Sequence, residues 1–162
     1  MRGLSHQRRS RKIGAQIDRT HNKWPTFEVR DRSSEHVLWH GQLRGFQLIY
    51  FVGVYWTLNG SIDRPYVFLL EPPLRPREGG TYEEIPHLMF DDENPKLSGL
   101  CLFDPDGNEW KSCMLIADTT VPWTADWLLF YELWHYDGKW RGGGVGPESI
   151  AQARTKTIHG PT

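Results

Sequence analysis

Apolar residues fall into four short runs in the first half of the chain, and these runs predict four β-strands at residues 26–32, 36–43, 46–57 and 66–71. In the first run the residues alternate, with Phe27 and Val29 on one side. The third run is nearly continuous, as in a central strand covered on both faces. Asn59-Gly60 predicts a tight turn before the fourth run, and Pro72-Pro73 ends that run because proline cannot continue a ladder. The short connections predict an antiparallel meander.

Two helices are predicted on either side of this meander. Sparse apolar positions favour an amphipathic N-terminal helix from about Ser5 to His21. A second helix runs from about Pro122 to Tyr136, since Pro122 suits a first helical turn and Gly138 suits a C-terminal cap. Its apolar face is aromatic and recurs at three-to-four spacing: Trp123, Trp127, Phe130, Tyr131 and Trp134. We expect the three tryptophans of this face to lie in the core.

A long irregular segment, the limb (residues 72–100), separates the meander from an apolar island around Cys101. Loops of this length in a compact domain are uncommon and tend to be functional. The predicted fold class is α+β, with an N-terminal helix, a four-stranded antiparallel meander, the limb and a Trp-rich C-terminal helix. We expect a single domain over residues 1–144 and a poorly ordered tail over 145–162.

Composition excludes several classes of protein. The 162 residues carry 19 Lys+Arg and 20 Asp+Glu, a formal charge of −1, so no global field attracts nucleic acid or a membrane. No apolar run is long enough to cross a bilayer. The basic stretch Met1–Lys12 lacks the apolar core of a secretory signal, and we interpret it as a solvated helix face or tail. Two cysteines are then free thiols in a reducing cytoplasm.

Cys101 is the residue most suggestive of chemistry. Between Leu100 and Leu102 it is either a small buried hydrophobe or a nucleophile that attacks an activated acyl group. Cys113, in a predicted strand, is interpreted as structural. The spacing of the two cysteines does not suit zinc, no phosphate-binding glycine loop occurs, and no cofactor is implied. A cysteine-protease pair with His87 or His135 remains an alternative.

The order of these pieces resembles the ubiquitin-conjugating fold. Tyr66-Val-Phe-Leu-Leu-Glu-Pro-Pro73 resembles the last strand and proline segment of that family, and Leu100-Cys-Leu-Phe-Asp104 with Trp110 resembles its active cysteine and downstream tryptophan. More specifically, several stretches over roughly residues 25–144 are similar to the bacterial ubiquitin-conjugating-like proteins of type II (short) CBASS antiphage systems. These are Ile85-Pro-His87, Leu100–Pro105 with Glu109-Trp110, Ile116–Thr124, Asp126-Trp127, Tyr131-Glu132 and Gly138–Gly144.

The resemblance implies an enzyme that carries an acyl group on Cys101 as a thioester. The donor would be the C-terminal glycine of a cognate cGAS/DncV-like nucleotidyltransferase, and the acceptor a lysine on a target protein. The resulting isopeptide bond would prime or regulate cyclic-nucleotide antiphage signalling. Larger relatives fuse this domain to an adenylating domain, so the chain resembles the stand-alone type.

The resemblance also implies catalytic helpers around Cys101. Ubiquitin-conjugating enzymes place a His-Pro-Asn motif just ahead of the cysteine, where it stabilises the oxyanion of thioester attack. Here His87 lies fourteen residues before Cys101 and Asn94 seven, so either is a candidate substitute, with His87 preferred. Asp104 and Asp118 are candidates to orient or deprotonate the incoming lysine, although Asp104 also suits a turn and Asp118 a helix cap.

Two other functions remain open from sequence. One is a non-catalytic module that binds and stabilises the nucleotidyltransferase. The other is a cysteine peptidase that removes the conjugate, which would need a histidine within hydrogen-bond reach of Cys101.

Overall fold

The computed structural model describes residues 12–58, 64–103 and 109–142. Within these ranges, two α-helices and six strands follow one another in the order helix, four strands, two short strands, helix, with three 3-10 turns in the loops between β4 and the second helix. Their bounds are α1 Ile13–Lys23, β1 Glu28–Arg32, β2 His36–Arg44, β3 Ile49–Thr57, β4 Tyr66–Glu71, β5 Leu88–Met89, β6 Gly99–Leu100 and α2 Thr120–Asp137. The predicted Asn59-Gly60 turn, the part of the predicted N-terminal helix that precedes residue 12 and the predicted tail at 145–162 lie outside the described residues. Lys12 is extended and α1 begins at Ile13, not at Ser5 as predicted.

The first four strands form one antiparallel sheet in the order β1-β2-β3-β4. The predicted α+β class and the meander are therefore confirmed. β4 begins and ends at the predicted residues, because Pro72 follows Glu71 and has no N–H to offer a neighbouring strand. Phe27, which directly precedes β1, is buried, whereas Val29 within β1 is exposed.

The prediction that β3 is covered on both faces is wrong. Its inner side chains are buried, whereas Ile49, Phe51 and Tyr55 on the outer face are 58%, 37% and 39% exposed. The described helices cover only the inner face. On the outer face, apolar side chains of neighbouring strands pack against one another, and the Phe68 ring lies over Gly53. The strand also begins three residues later than predicted, since residues 45–48 form the β2–β3 loop.

α2 closes the inner face of the sheet. Tyr131 meets Tyr50 of β3 edge-on at a ring distance of 6.3 Å. The helix ends at Asp137 and is capped by Gly138, whose φ of 76° is the left-handed conformation that glycine adopts without strain. The expected core role of the tryptophans is confirmed for Trp127 and Trp134, which are buried, while Trp123 is half-buried and packs against the same core.

α1 is fastened to the segment that precedes α2. The buried Gln16 side chain donates to the carbonyl of Met114 and accepts from the N–H of Ile116, both at 2.9 Å. Trp24 donates to the carbonyl of Ala117 at 2.8 Å. None of the helices in the described ranges is long and apolar enough to cross a membrane.

Candidate active site

Cys101 follows β6 directly, at the point where the limb doubles back on itself. β6 pairs with β5, and the Cys101 N–H continues this pairing by donating to the carbonyl of His87 at 2.9 Å. Leu100 beside it is 2% exposed, whereas Cys101 itself is half-buried. The cysteine therefore lies at the rim of the core rather than sealed within it.

The thiol of Cys101 faces a main-chain carbonyl. Its Sγ donates to the oxygen of Phe103 at 3.1 Å. Phe103 is buried and meets Trp123 of α2 edge-on, with ring centres 4.9 Å apart. The Cys101 sulfur is thus linked to the N-terminal half of α2 through Phe103. A thiolate formed there must leave the Phe103 carbonyl, because a carbonyl oxygen does not attract an anion.

His87 contributes through its main chain and its ring separately. Its φ of 50° is left-handed, an uncommon conformation outside glycine. Its carbonyl accepts two hydrogen bonds of 2.9 Å, from the Cys101 N–H and from the indole N–H of Trp127. The residue as a whole is exposed, but its ring stacks on Trp140, with ring centres 5.4 Å apart. Desolvation lowers the pKa of His87, so the ring is neutral at physiological pH.

His135, the other histidine considered as a partner for Cys101, is occupied at the start of the limb. Its Nε2 lies 3.1 Å from the carbonyl of Arg75. Its ring meets Tyr131 edge-on at 4.6 Å. Desolvation, followed by the charge of Arg75, lowers the pKa of His135. These contacts pack His135 against the start of the limb.

Asn94 lies on an exposed turn of the limb. Its N–H donates to Asp91 Oδ1 at 3.1 Å, and its carbonyl accepts the N–H of Leu97 at 2.9 Å. The main chain of Asn94 is therefore fixed by local hydrogen bonds, while the residue is exposed.

Asp118 lies just before α2 and faces α1. Its Oδ1 accepts from Arg19 at 3.0 Å and from Lys23 at 2.9 Å. Desolvation opposes the charged form, but the hydrogen bonds from these two cations outweigh it and hold the pKa of Asp118 below its ordinary value. The carboxylate thus ties α1 to the segment that leads into α2. Asp104, the other candidate acid, lies outside the described residues.

The prediction that Cys113 lies in a strand is wrong. The residue lies in a turn closed by the Met114 N–H donating to the carbonyl of Lys111 at 2.8 Å. The physical reason is Gln16, whose side chain binds the main-chain groups of Met114 and Ile116 that a strand would offer to a neighbour. In the described ranges, no three His, Cys, Asp or Glu side chains gather where they could hold a metal ion.

The structure thus has a four-stranded meander, a half-buried cysteine beyond it and an aromatic helix after the cysteine. A comparison of the sequence with known protein families agrees with this arrangement. A family model described as Type II CBASS E2 protein matches residues 16–147. The chain belongs to this family. The resemblance seen in the sequence is thereby confirmed, and the family name indicates an E2-like conjugating protein of a CBASS system. No curated protein matches the sequence.

After the cysteine of this CBASS E2 protein, Trp110 lies in the core. This side chain is 5% exposed and meets Trp56 edge-on at 5.8 Å. Its indole N–H donates to Thr119 Oγ1 at 3.2 Å, just before α2. The stretch that carries Cys101 is therefore anchored on both sides, at β5 before the cysteine and at Trp110 after it.

Sequence reasoning missed two aromatic residues that contact His87, the residue that pairs with Cys101. Trp127 was expected only to pack, yet its N–H binds the His87 carbonyl. Trp140 follows the Gly138 cap and returns onto Trp127 and the His87 ring, with ring centres 5.5 and 5.4 Å away. Helical spacing placed Trp127 in the core, but it carries no signal for what an indole N–H binds.

Proposed function

We propose that this CBASS E2 protein forms a thioester between Cys101 and the C-terminal glycine of its cognate cGAS/DncV-like nucleotidyltransferase, and then transfers that glycine to a lysine. The observation that supports the proposal most directly is the position of Cys101. It is half-buried at the end of β6, with its main chain fixed by the His87 carbonyl. A nucleophile needs such a combination of access and fixed geometry.

The reaction consists of two acyl transfers. In the first, the Cys101 thiolate attacks the glycine carbonyl of an activated acyl donor, a thioester or an acyl adenylate. The carbon–sulfur bond to Cys101 forms, and the donor's thiolate or AMP leaves. In the second, a lysine amine attacks the new thioester, the carbon–nitrogen bond forms and the carbon–sulfur bond to Cys101 breaks. The thiolate that leaves takes up the proton that the amine gives up. Each step passes through an oxyanion that needs a hydrogen-bond donor.

His87 is the preferred donor to that oxyanion. Its lowered pKa keeps the ring neutral, so one ring nitrogen carries a proton to donate, and stacking on Trp140 limits the ring's orientation. Asn94 is the second candidate. For the lysine we propose Asp104 as the orienting carboxylate, whereas the two ion pairs of Asp118 favour a structural role for that residue.

The family supports the proposed biological setting. Within a type II CBASS system of the short form, we propose that the isopeptide bond primes or regulates the nucleotidyltransferase and so controls cyclic-nucleotide signalling against phage. We place the reaction in the cytoplasm, where the nucleotide precursors and free thiols coexist.

The experiment supplies the activated donor directly. Purified protein is incubated with a peptide of the nucleotidyltransferase C-terminus, made as a mercaptoethanesulfonate thioester of its terminal glycine. Intact-mass spectrometry is expected to show one peptide added to the wild type and to Cys113→Ala, none to Cys101→Ala, and its loss on adding thiol. Added lysine should then release the peptide as an amide. Tight binding of the nucleotidyltransferase without any adduct would contradict the proposal and favour a binding module.

A further inference from the structure

The side chain of Trp127 and the main chain of Cys101 bind the same acceptor, the carbonyl of His87. We infer that Trp127 is a positioning residue for the acyl transfer: its indole N–H holds the His87 carbonyl in the orientation that binds the Cys101 N–H. This inference rests on the proposed function of Cys101. In this arrangement, a side chain of α2 determines where the Cys101 sulfur lies, although the indole does not contact the reacting atoms.

The geometry of the shared carbonyl supports this role. Both hydrogen bonds to the His87 oxygen are 2.9 Å long, an ordinary length for N–H···O bonds, and the oxygen has two lone pairs to accept them. His87 is left-handed at φ 50°, a conformation that a non-glycine residue keeps only where its surroundings hold it. The hydrogen bond from Trp127 is one such restraint, and it acts on the carbonyl that the Cys101 N–H binds.

Trp127 is itself rigidly placed. It is 4% exposed, lies in the middle of α2 and stacks on Tyr131 with ring centres 5.1 Å apart. Tyr131 is in turn fixed to the main chain of Arg75, whose carbonyl and N–H it binds at 3.0 Å. The indole N–H therefore has a fixed position. Through the His87 carbonyl, it fixes the position of the Cys101 main chain. A displacement of about 1 Å at a reacting atom can slow a reaction by about a hundredfold.

The first test compares two tryptophans of the same helix. Trp134 is buried to a similar degree and also stacks near Tyr131, at 6.4 Å, so W134F matches W127F in lost packing. With the peptide thioester at saturation, we expect transfer to Cys101 to be about tenfold slower in W127F, as for loss of one hydrogen bond, with KM unchanged. W134F should stay within about twofold of wild type, although both variants lose thermal stability.

An unchanged transfer rate in W127F, or equal slowing in both variants, would overturn the inference, since equal slowing indicates a general loss of packing. If W127F does not fold, Trp127 is replaced by 3-benzothienylalanine, in which sulfur takes the place of the N–H and the ring shape is kept. The same tenfold slowing is expected from this replacement, and a wild-type rate would contradict it.

A second measurement is independent of catalysis. Amide hydrogen exchange at Cys101 should be about tenfold faster in W127F than in wild type, and unchanged in W134F, because the His87 carbonyl is no longer held. Unchanged exchange in W127F would overturn the inference. If the wild-type protein forms no adduct with the peptide thioester, the proposed function fails, and the exchange rates alone decide whether Trp127 positions Cys101.

Discussion

The two halves of α2 hold their neighbours in different ways. Near its C-terminus, Glu132 accepts three main-chain N–H groups of the β2–β3 loop, at 2.8 to 3.2 Å, and Tyr131 binds both main-chain groups of Arg75. Near its middle, Trp127 reaches the cysteine segment through one hydrogen bond to one carbonyl. The difference indicates that α2 holds the β2–β3 loop through several hydrogen bonds to one side chain, whereas it meets the segment that carries Cys101 through one shared carbonyl and through ring contacts.

The largest effect is expected at Glu132. Glu132→Ala leaves three loop N–H groups without their acceptor, and should lower the free energy of unfolding by about 3 kcal/mol. Urea unfolding measures this, with Glu83→Ala as the control because Glu83 is an exposed glutamate of the limb. Alkylation of Cys101 by iodoacetamide, followed by peptide mapping, should keep its wild-type rate. A faster rate would show that the two halves of α2 are coupled and break the comparison.

A smaller effect is expected at Tyr131. Tyr131→Phe removes the hydroxyl that donates to and accepts from Arg75, and should cost about 1 kcal/mol of unfolding free energy. Tyr136→Phe is the matched control, since Tyr136 lies on the same helix and is 86% exposed. Equal stability of both variants would mean that the Arg75 contact does not secure the limb.

The smallest effect is expected at Asp118, and it depends on pH. The lowered pKa means that the folded protein holds the charged form more strongly than the unfolded chain does. This contribution is present above the unfolded pKa of about 3.9 and is lost as pH falls through the lower folded value.

Asp118→Asn should therefore cost about 0.5 kcal/mol near neutral pH, the size of a partly exposed ion pair. The gap to wild type should close between about pH 5 and pH 2, as measured by thermal unfolding. Asp92→Asn, at an exposed position of the limb, serves as the control. A gap that widens in acid would contradict the sign of the shift.

The sequence was sufficient for the sheet order and for β4, because alternation and proline act locally. It failed for the outer face of β3, where side chains cover one another, as His40 does edge-on to Phe51 at 5.5 Å. An apolar run does not distinguish this from burial under a helix.

The site was harder to predict than the fold. Residue chemistry singled out Cys101, and the family resemblance added its thioester role and His87 as a helper; these catalytic roles stay predictions. The His87 carbonyl contact could not be foreseen, because β5 and β6 have two residues each and show no periodicity. The residues around Asp118 in the sequence suggest a helix cap. Its partners Arg19 and Lys23 lie far away in sequence and meet it only in the folded chain, so its ion pairs could not be predicted.

The central claim is that the Cys101 sulfur carries an acyl group. The most direct measurement is tandem mass spectrometry of the protein after reaction with the glycine thioester peptide, which locates the added mass on one residue. The account predicts the glycine acyl group on Cys101, with Cys113 unmodified, and its complete removal by hydroxylamine. An unmodified Cys101 in folded protein that iodoacetamide still alkylates would contradict the account.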